Sequence, residues 1–338
     1  MNDYHIDPAK DPIDWARFGE IIDSHQTFAL TTHHRPDADA LGSMLGMARI
    51  LERLGKKALC VVDYEVPQSF RFLDPENRIK RLGVTVTREE VDAVEVFLIL
   101  DTTAWAQLAH VADVLRETKA KKVALDHHVD GDELGAEVFR NATAEAAGRL
   151  VVQAARNLGV ELDPETAAVL FAAMATDTGW FRFSSVSADT FRYAAHLIER
   201  GARPELLYRD LYERETLGRI RLTGRALEHV RTELEGRLIH SYMDLADFEA
   251  AGADPADSED VVNKTLAVDG TQFAVMFVEQ VGGGYKISFR SRCDADCCEI
   301  AKAFGGGGHK KAAGAFVNQP REAAMEAVLG EVRRAMGG

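Results

Sequence analysis

Apolar residues in the first half of the chain fall into short dense runs, separated by segments in which they recur every three or four positions. Thr27–Thr32 (TFALTT) is rich in β-formers, and behind it Leu41, Met44, Leu45, Ala48, Leu51 and Leu54 keep helical spacing. Lys57–Val62 (KALCVV), Ala93–Thr102 (AVEVFLILDT) and Lys121–His128 (KKVALDHH) repeat the strand-like pattern. Strands alternating with helices predict βαβ units and a parallel sheet.

Helical spacing then takes over at Ala144–Leu158, Thr166–Ala175 and Ser187–Gly201, the last with Ser187 as its N-cap. The pattern stays helical and highly charged from Arg203 to about Leu234. Arg237–Met243, Gln272–Glu279 and Tyr285–Arg290 read as strands, and Ala295–Phe304 and Glu322–Met336 as helices. A chain of 338 residues exceeds what one core usually supports. The expectation is an α/β protein: an N-terminal domain over 1–200 with a parallel sheet and helices on both faces, a helical linker over 201–232, and a smaller C-terminal α/β domain over 233–338.

Composition narrows the function. The net charge is −14, and no basic stripe runs along the sequence, so a groove for long nucleic acid is not expected. A nucleotide substrate would be short and gripped locally. The opening residues MNDYHIDPAKDPIDW lack the apolar core of a leader, and runs such as Val96–Leu100 are too short to span a bilayer. Four cysteines in a chain this long do not make a disulfide framework, and a cytoplasmic location is expected.

The predicted strands end in unusual company. TTHHRPDADALGS (31–43) carries His33, Asp37 and Asp39; Asp101 ends the third strand; Asp126, His127 and His128 end the fourth; Asp177 lies in ATDTGWFRF. Any one of these would serve as a helix cap or surface group. Four segments placing such groups at equivalent topological positions would gather them at one sheet edge. Carboxylates with a few imidazoles suit a divalent cation of hard to borderline character: Mn²⁺, with Mg²⁺ or Co²⁺ as alternatives. The donors exceed the needs of one ion, and two ions about 3.5–4 Å apart bridged by a carboxylate are the common arrangement for phosphoester hydrolysis.

HHRPDADALGS, LDTT (100–103), LDHH (125–128) and TDTG (176–179) together resemble the four motifs of the DHH phosphoesterase superfamily. The resemblance implies that His33 and Asp37 hold one ion, that Asp39, His127 and Asp177 hold the other, and that Asp101 bridges them. It also implies that His128 sits near the scissile phosphate while Asp126 orients the imidazoles. YKISFRSR (285–292) and AFGGGGHKKAAG (303–314) resemble the DHHA1 domain, in which Arg290, Gly306, Gly307, Gly308 and His309 would grip a phosphate or sugar across a cleft from the metals.

The pairing is similar to the stand-alone DHH–DHHA1 subfamily, the NrnA-type nanoRNase/pAp phosphatases. It implies hydrolysis of very short RNA to nucleoside 5′-monophosphates, removal of the 3′-phosphate of pAp, and a homodimer. Cyclic dinucleotides or pApA are the alternative substrates; a RecJ-like exonuclease, a family II pyrophosphatase and a non-catalytic nucleotide sensor fit less well. Cys293, Cys297 and Cys298 read as reduced thiols, with a zinc site near His309 as the alternative. WFRF (180–183) reads mostly as core, and His34, Arg35 and Arg182 as possible phosphate contacts.

Overall fold

The computed structural model describes residues 11–259 and 261–337, so most of the opening stretch read for a leader lies outside it. The chain divides into two compact units between Glu213 and Arg214. Of the 201–232 stretch read as a linker, one helix packs into each unit.

The first unit runs α1 (Trp15–Ser24), β1 (Thr27–Thr31), α2 (Ala38–Arg53), β2 (Lys57–Val62), β3 (Lys80–Arg81), α3 (Arg88–Asp92), β4 (Val96–Leu100), α4 (Val111–Glu117), β5 (Lys121–Asp126), β6 (Glu137–Arg140), α5 (Ala147–Asn157), α6 (Pro164–Asp177), α7 (Ala188–Glu199) and α8 (Pro204–Tyr212). Its strands lie in the order β3-β2-β1-β4-β5-β6 and every pairing is parallel. Alternate residues of each strand face opposite sides. Leu30, Leu98 and Leu125 join α1, α2, α5 and α6 in one core; Ala29, Phe97 and Ile99 join α3 and α4 in the other. Burial on both faces explains the unbroken apolar run of β4.

Sequence order turns outward in both directions from β1, which makes the gap between β1 and β4 a topological switch point. At such a point the loops leaving neighbouring strands diverge, and open α/β sheets place their ligand crevice at the carboxyl ends.

Small residues close the helical layer. A Cβ on Gly42 of α2 would lie 2.4 Å from the Val169 carbonyl oxygen of α6, and one on Gly148 of α5 would lie 2.5 Å from Ala173 Cβ. The bare glycines let three backbones approach, which brings the first turns of α2 and α5 beside the end of α6.

The second unit runs α9 (Leu217–Glu228), β7 (Arg231–Glu233), β8 (Leu238–Met243), α10 (Leu245–Ala251), α11 (Val261–Thr265), β9 (Phe273–Glu279), β10 (Tyr285–Ser291), α12 (Cys297–Lys302), β11 (Gly307–His309), β12 (Ala312–Val317) and α13 (Arg321–Ala335). Its sheet order is β11-β12-β10-β9-β8-β7, antiparallel except for β8 with β9. One face packs on α12 and α13; the other is covered over β8 and β9 by α9, α10 and α11. Over β10 and β12 that second face is open except where α11 meets β10 at Arg290, and burial alternates strictly along both strands. No helix among the described residues is long and apolar enough to cross a membrane.

Candidate active site

Each carboxyl end in the first unit delivers its polar groups by a distinct local device. After β1 the chain turns through Arg35, whose φ is +59°, and enters α2 with Asp37 as N-cap, its Oδ1 accepting a hydrogen bond from the Ala40 amide at 2.9 Å. Asp39, in the first turn, is buried. Its two carboxylate oxygens accept hydrogen bonds from the amides of Ala147 (2.7 Å) and Gly148 (2.8 Å), buried donors at the start of α5 that have no acceptor within the helix. A Cβ at 148 would sit 3.2 Å from Asp39 Oδ1, so glycine there serves the contact.

Asp101 follows β4 in the left-handed region, at φ +62°. Such a backbone costs a non-glycine residue about 1–3 kcal/mol. Its amide is tied to the Leu125 carbonyl at 3.1 Å, and its carboxylate lies between two imidazoles. His33 Nε2 is 3.4 Å from Oδ2, and His127 Nε2 is 3.2 Å from Oδ1. Asp101 Oδ1 is buried and makes no hydrogen bond. An acceptor left this way is costly unless something else satisfies it.

His127 Nε2 also lies 3.8 Å from Asp39 Oδ2 and 3.7 Å from Asp177 Oδ2. Asp177 is the last residue of α6. A carboxylate at that end of a helix opposes the macrodipole, so it contributes nothing to helix stability there.

The Nδ1 atoms of His33 and His127 face the carbonyls of His34 (3.1 Å) and Ala144 (3.2 Å). With a proton held there, each ring leaves Nε2 as the atom that a cation would take once its own proton is displaced, the tautomer a metal needs. His128 is held differently. Its Nδ1 is 2.9 Å from Asp126 Oδ1, and its other edge borders a pocket of about 460 Å³ lined by Thr102, Thr103, Gln107, Val129 and Asp130. Asp126 also accepts from Thr103 Oγ1 at 2.9 Å, and Arg140 donates to the same hydroxyl at 2.5 Å.

Electrostatics follow from this crowding. Burial alone would lower both imidazoles, but Asp101 outweighs it and raises His33 to about 9; Asp101, Asp39 and Asp177 together raise His127 to about 10. Burial and the neighbouring Asp101 push Asp39 well above the carboxylate range despite His127. Burial, with Asp101 and Asp37, carries Asp177 up to about 6 against the pull of His127. Asp101 goes the other way, since its two imidazoles overcome burial. The hydrogen bond to Asp126 raises His128. A cluster that takes up protons at its centre suits a cation that would displace them.

Among the described residues, three groupings offer ligand atoms within 4.8 Å of one another: His33, Asp37 and Asp101; Asp39, His127 and Asp177; and Asp101, His127 and His128. All six expected ligands are therefore together, and the orphaned Asp101 oxygen, the all-oxygen-and-imidazole donor set and the tautomers fit divalent cations. Among the described residues no grouping contains a cysteine, and Cys60, Cys293, Cys297 and Cys298 are free thiols.

The remaining expectations divide. His34 donates its amide to the Gln107 carbonyl, and Arg182 Nε donates to the Gly179 carbonyl, so both have structural tasks. WFRF is only partly core: Phe171 packs on Trp180 and Phe181, whereas Phe183 is 53% exposed. The supporting roles of Thr103, Arg140 and the α5 amides escaped the sequence reading; the threonine pair of LDTT was the one signal present.

In the second unit, Arg290 and the glycine run share the sheet. Gly307–His309 is a strand rather than a loop, with Gly307 opposite Gly314 and His309 opposite Ala312, while Arg290 faces Ala312 from the other side. Arg290, Ala312 and His309 form one row and point to the open face. Gly306 precedes the strand, where a Cβ would lie 2.2 Å from the Gly314 carbonyl oxygen, and a Cβ on Gly308 would lie 2.6 Å from Ala313 Cα. Arg290 Nε is hydrogen-bonded to Asn263 Oδ1 at 3.1 Å.

A carboxylate–imidazole centre at the switch point of a parallel sheet, joined to a second α/β unit, defines a phosphoesterase-type hydrolase. Residues 27–174 match the N-terminal domain of the DHH family and residues 235–338 match the DHHA1 domain. The chain belongs to the DHH phosphoesterase family, in the group that also carries a DHHA1 domain. The bifunctional oligoribonuclease and PAP phosphatase NrnA of Thermus thermophilus is 31% identical over 315 residues, 90% of this chain and 90% of that protein. The protein of the same name from Bacillus subtilis is 26% identical over 303 residues, 88% of this chain and 91% of its own. The crystal structure of an exopolyphosphatase-related protein from Bacteroides fragilis shares the fold, with a TM-score of 0.82 at 22% identity, covering 96% of this chain and 95% of that one.

Proposed function

We propose that this protein hydrolyses very short oligoribonucleotides to nucleoside 5′-monophosphates and also removes the 3′-phosphate of pAp, using two divalent metal ions, Mn²⁺ in preference to Mg²⁺ or Co²⁺. The observation that carries the reading is Asp101, buried and strained, with one carboxylate oxygen turned to His33 and the other to His127. Bound at the two sides of Asp101, the ions would acidify a water and neutralise charge on the phosphate oxygens.

The chain's own groups do the rest. His33 and Asp37 form one side of the centre and Asp39, His127 and Asp177 the other, with Asp101 between them. His128, fixed through Nδ1 by Asp126, gives a proton from Nε2 to the ribose oxygen that leaves as the bond from phosphorus breaks and water's oxygen takes its place. Arg290, His309 and the amides of Gly306–Gly308 hold a phosphate or sugar. The net charge of −14 supports short substrates over long ones, as do the names of the Thermus and Bacillus relatives.

The test is manganese-dependent hydrolysis of a panel: pAp, 5′-labelled RNA from dinucleotides to long oligomers, pApA and cyclic di-AMP. Fast cleavage of the shortest RNAs, falling with length, is expected. Turnover confined to the cyclic or long substrates would overturn the substrate assignment and leave the metal centre standing.

A further inference from the structure

The open face of the second sheet has one residue that its alternation does not call for. Along β10 and β12 the positions facing away from the α12–α13 core are Lys286, Ser288 and Arg290, and Ala312, Gly314 and Phe316. Five of the six are polar, charged or small, as an open sheet face requires. Phe316 is the exception, and it is 52% exposed.

Its surroundings are ordered in rows. Phe316 stands opposite Lys286; the next row is Ser288, Gly314 and Gly307; the third is Arg290, Ala312 and His309. The middle row is nearly bare backbone, a flat floor between an aromatic ring at one end and the Arg290–His309 row at the other. Phe316 and Ala312 are four residues apart, about 14 Å along the strand. The ring is also held in place: a Cβ on Gly284, in the turn before β10, would lie 2.9 Å from Phe316 Cζ, so glycine there leaves room for the ring to lean on the turn.

A pocket of about 280 Å³ adjoins this floor, lined by Val262, Met276 and Val278 and by Ser258, Glu259, Lys286, Ser288 and Arg290. Cations at both ends, a floor whose one side chain is the Ser288 hydroxyl and a single exposed ring match an anionic, flat and narrow ligand, with Glu259 the one carboxylate beside it. They do not match the broad apolar patch that a protein partner would need.

We propose that Phe316 is a stacking platform for a nucleobase, and that the open face of the second sheet holds one nucleoside monophosphate unit, its phosphate at the Arg290–His309 row, its ribose over Gly314 and Gly307, and its base on Phe316 beside Lys286. The proposal rests on the reading of this unit as the substrate-gripping part of the enzyme. Stacking tolerates any base, because every base presents a π-face. Hydrolysis of short RNA without regard to sequence follows from such a platform.

The experiment compares AMP with ribose 5-phosphate, which share the phosphate and sugar and differ by the base. Binding of each to the full chain is measured by calorimetry with manganese chloride present throughout. The unaltered protein binds AMP more tightly. Phe316→Ala is expected to weaken AMP binding about tenfold and to leave ribose 5-phosphate unchanged, and Phe316→Trp to keep or strengthen AMP binding. An unchanged AMP affinity in Phe316→Ala, or a parallel loss of both ligands, overturns the proposal. The two readings fail separately. Base-dependent binding without hydrolysis of any RNA sinks the proposed activity alone; rapid hydrolysis of short RNA with a Phe316→Ala protein that binds AMP normally sinks the platform alone.

Discussion

Asp101 and Arg290 both stand where a strand gives out, in sheets of opposite character. The strand before Asp101 is buried along its whole length, and the aspartate itself is buried, left-handed and wedged between imidazoles. Arg290 belongs to a strand that alternates buried and accessible positions, and its face is open. The first region concentrates charge where water is scarce, so each donor must be fixed by an amide, a carbonyl or a second side chain. The second relies on register: three strands in alignment present a row of side chains with no strain at the cationic residues. Chemistry demands the first kind of construction and recognition tolerates the second.

Substitutions should separate the two. The largest effect is expected from Asp101→Ala, which removes the group shared by both sides of the centre: kcat should fall by about a thousandfold or more and bound metal by at least one ion per chain, read by elemental analysis. Near-normal turnover with full metal content would defeat the assignment. His128→Ala should lower kcat about a hundredfold while metal content stays intact if, as proposed, it handles the proton and not the ion; a matching loss of metal would move His128 into the ligand set.

Arg290→Met should act on KM, raising it about tenfold with kcat nearly unchanged, as expected when a charge-assisted hydrogen bond to substrate is lost. A fall in kcat with constant KM would erase the contrast between the regions. The smallest effect belongs to the scaffold. Asp163 caps α6 through the Thr166 amide at 2.8 Å and pairs with Arg53, and these contacts outweigh burial to hold its carboxyl at about 2 instead of 3.8. Asp163→Ala should cost about 1 kcal/mol in thermal or denaturant unfolding. The depressed carboxyl stabilises the fold fully above its unfolded value near 3.8, and the benefit fades as pH falls toward about 2. A variant and parent that differ equally at pH 2 and pH 7 would remove this sign.

The parts of this arrangement that were legible in the sequence are those that repeat a simple rule. β1, β2, β4 and β5 are apolar runs, three of them ending in acids or histidines, and the parallel sheet and its loaded edge follow from that. Ser187 caps α7 as its spacing indicated, with the reciprocal bond to Thr190. The illegible parts obey tertiary rules. β6 is an edge strand in which only Phe139 is fully buried, while Glu137 reaches Arg17 and Lys121, so no apolar run marks it. Nothing in the four-glycine run at 305–308 marks a strand, and pairing with β12 makes Gly307–His309 one. The anchoring of Asp39 on the α5 amides joins residues more than a hundred positions apart, and no local spacing encodes that.

One consequence concerns how the protein is made. The strand at the switch point, β1, is the first strand of the chain, yet its neighbour on one side, β4, follows more than sixty residues later, and Asp177 comes at the end of the sixth helix. During synthesis His33, Asp37 and Asp39 leave the ribosome long before the residues that complete their centre. A nascent chain therefore presents these side chains scattered, and the candidate metal centre exists only once the first unit has closed. On the proposed function, metal uptake would report completed folding, and an unfinished chain would have no centre with which to cut RNA.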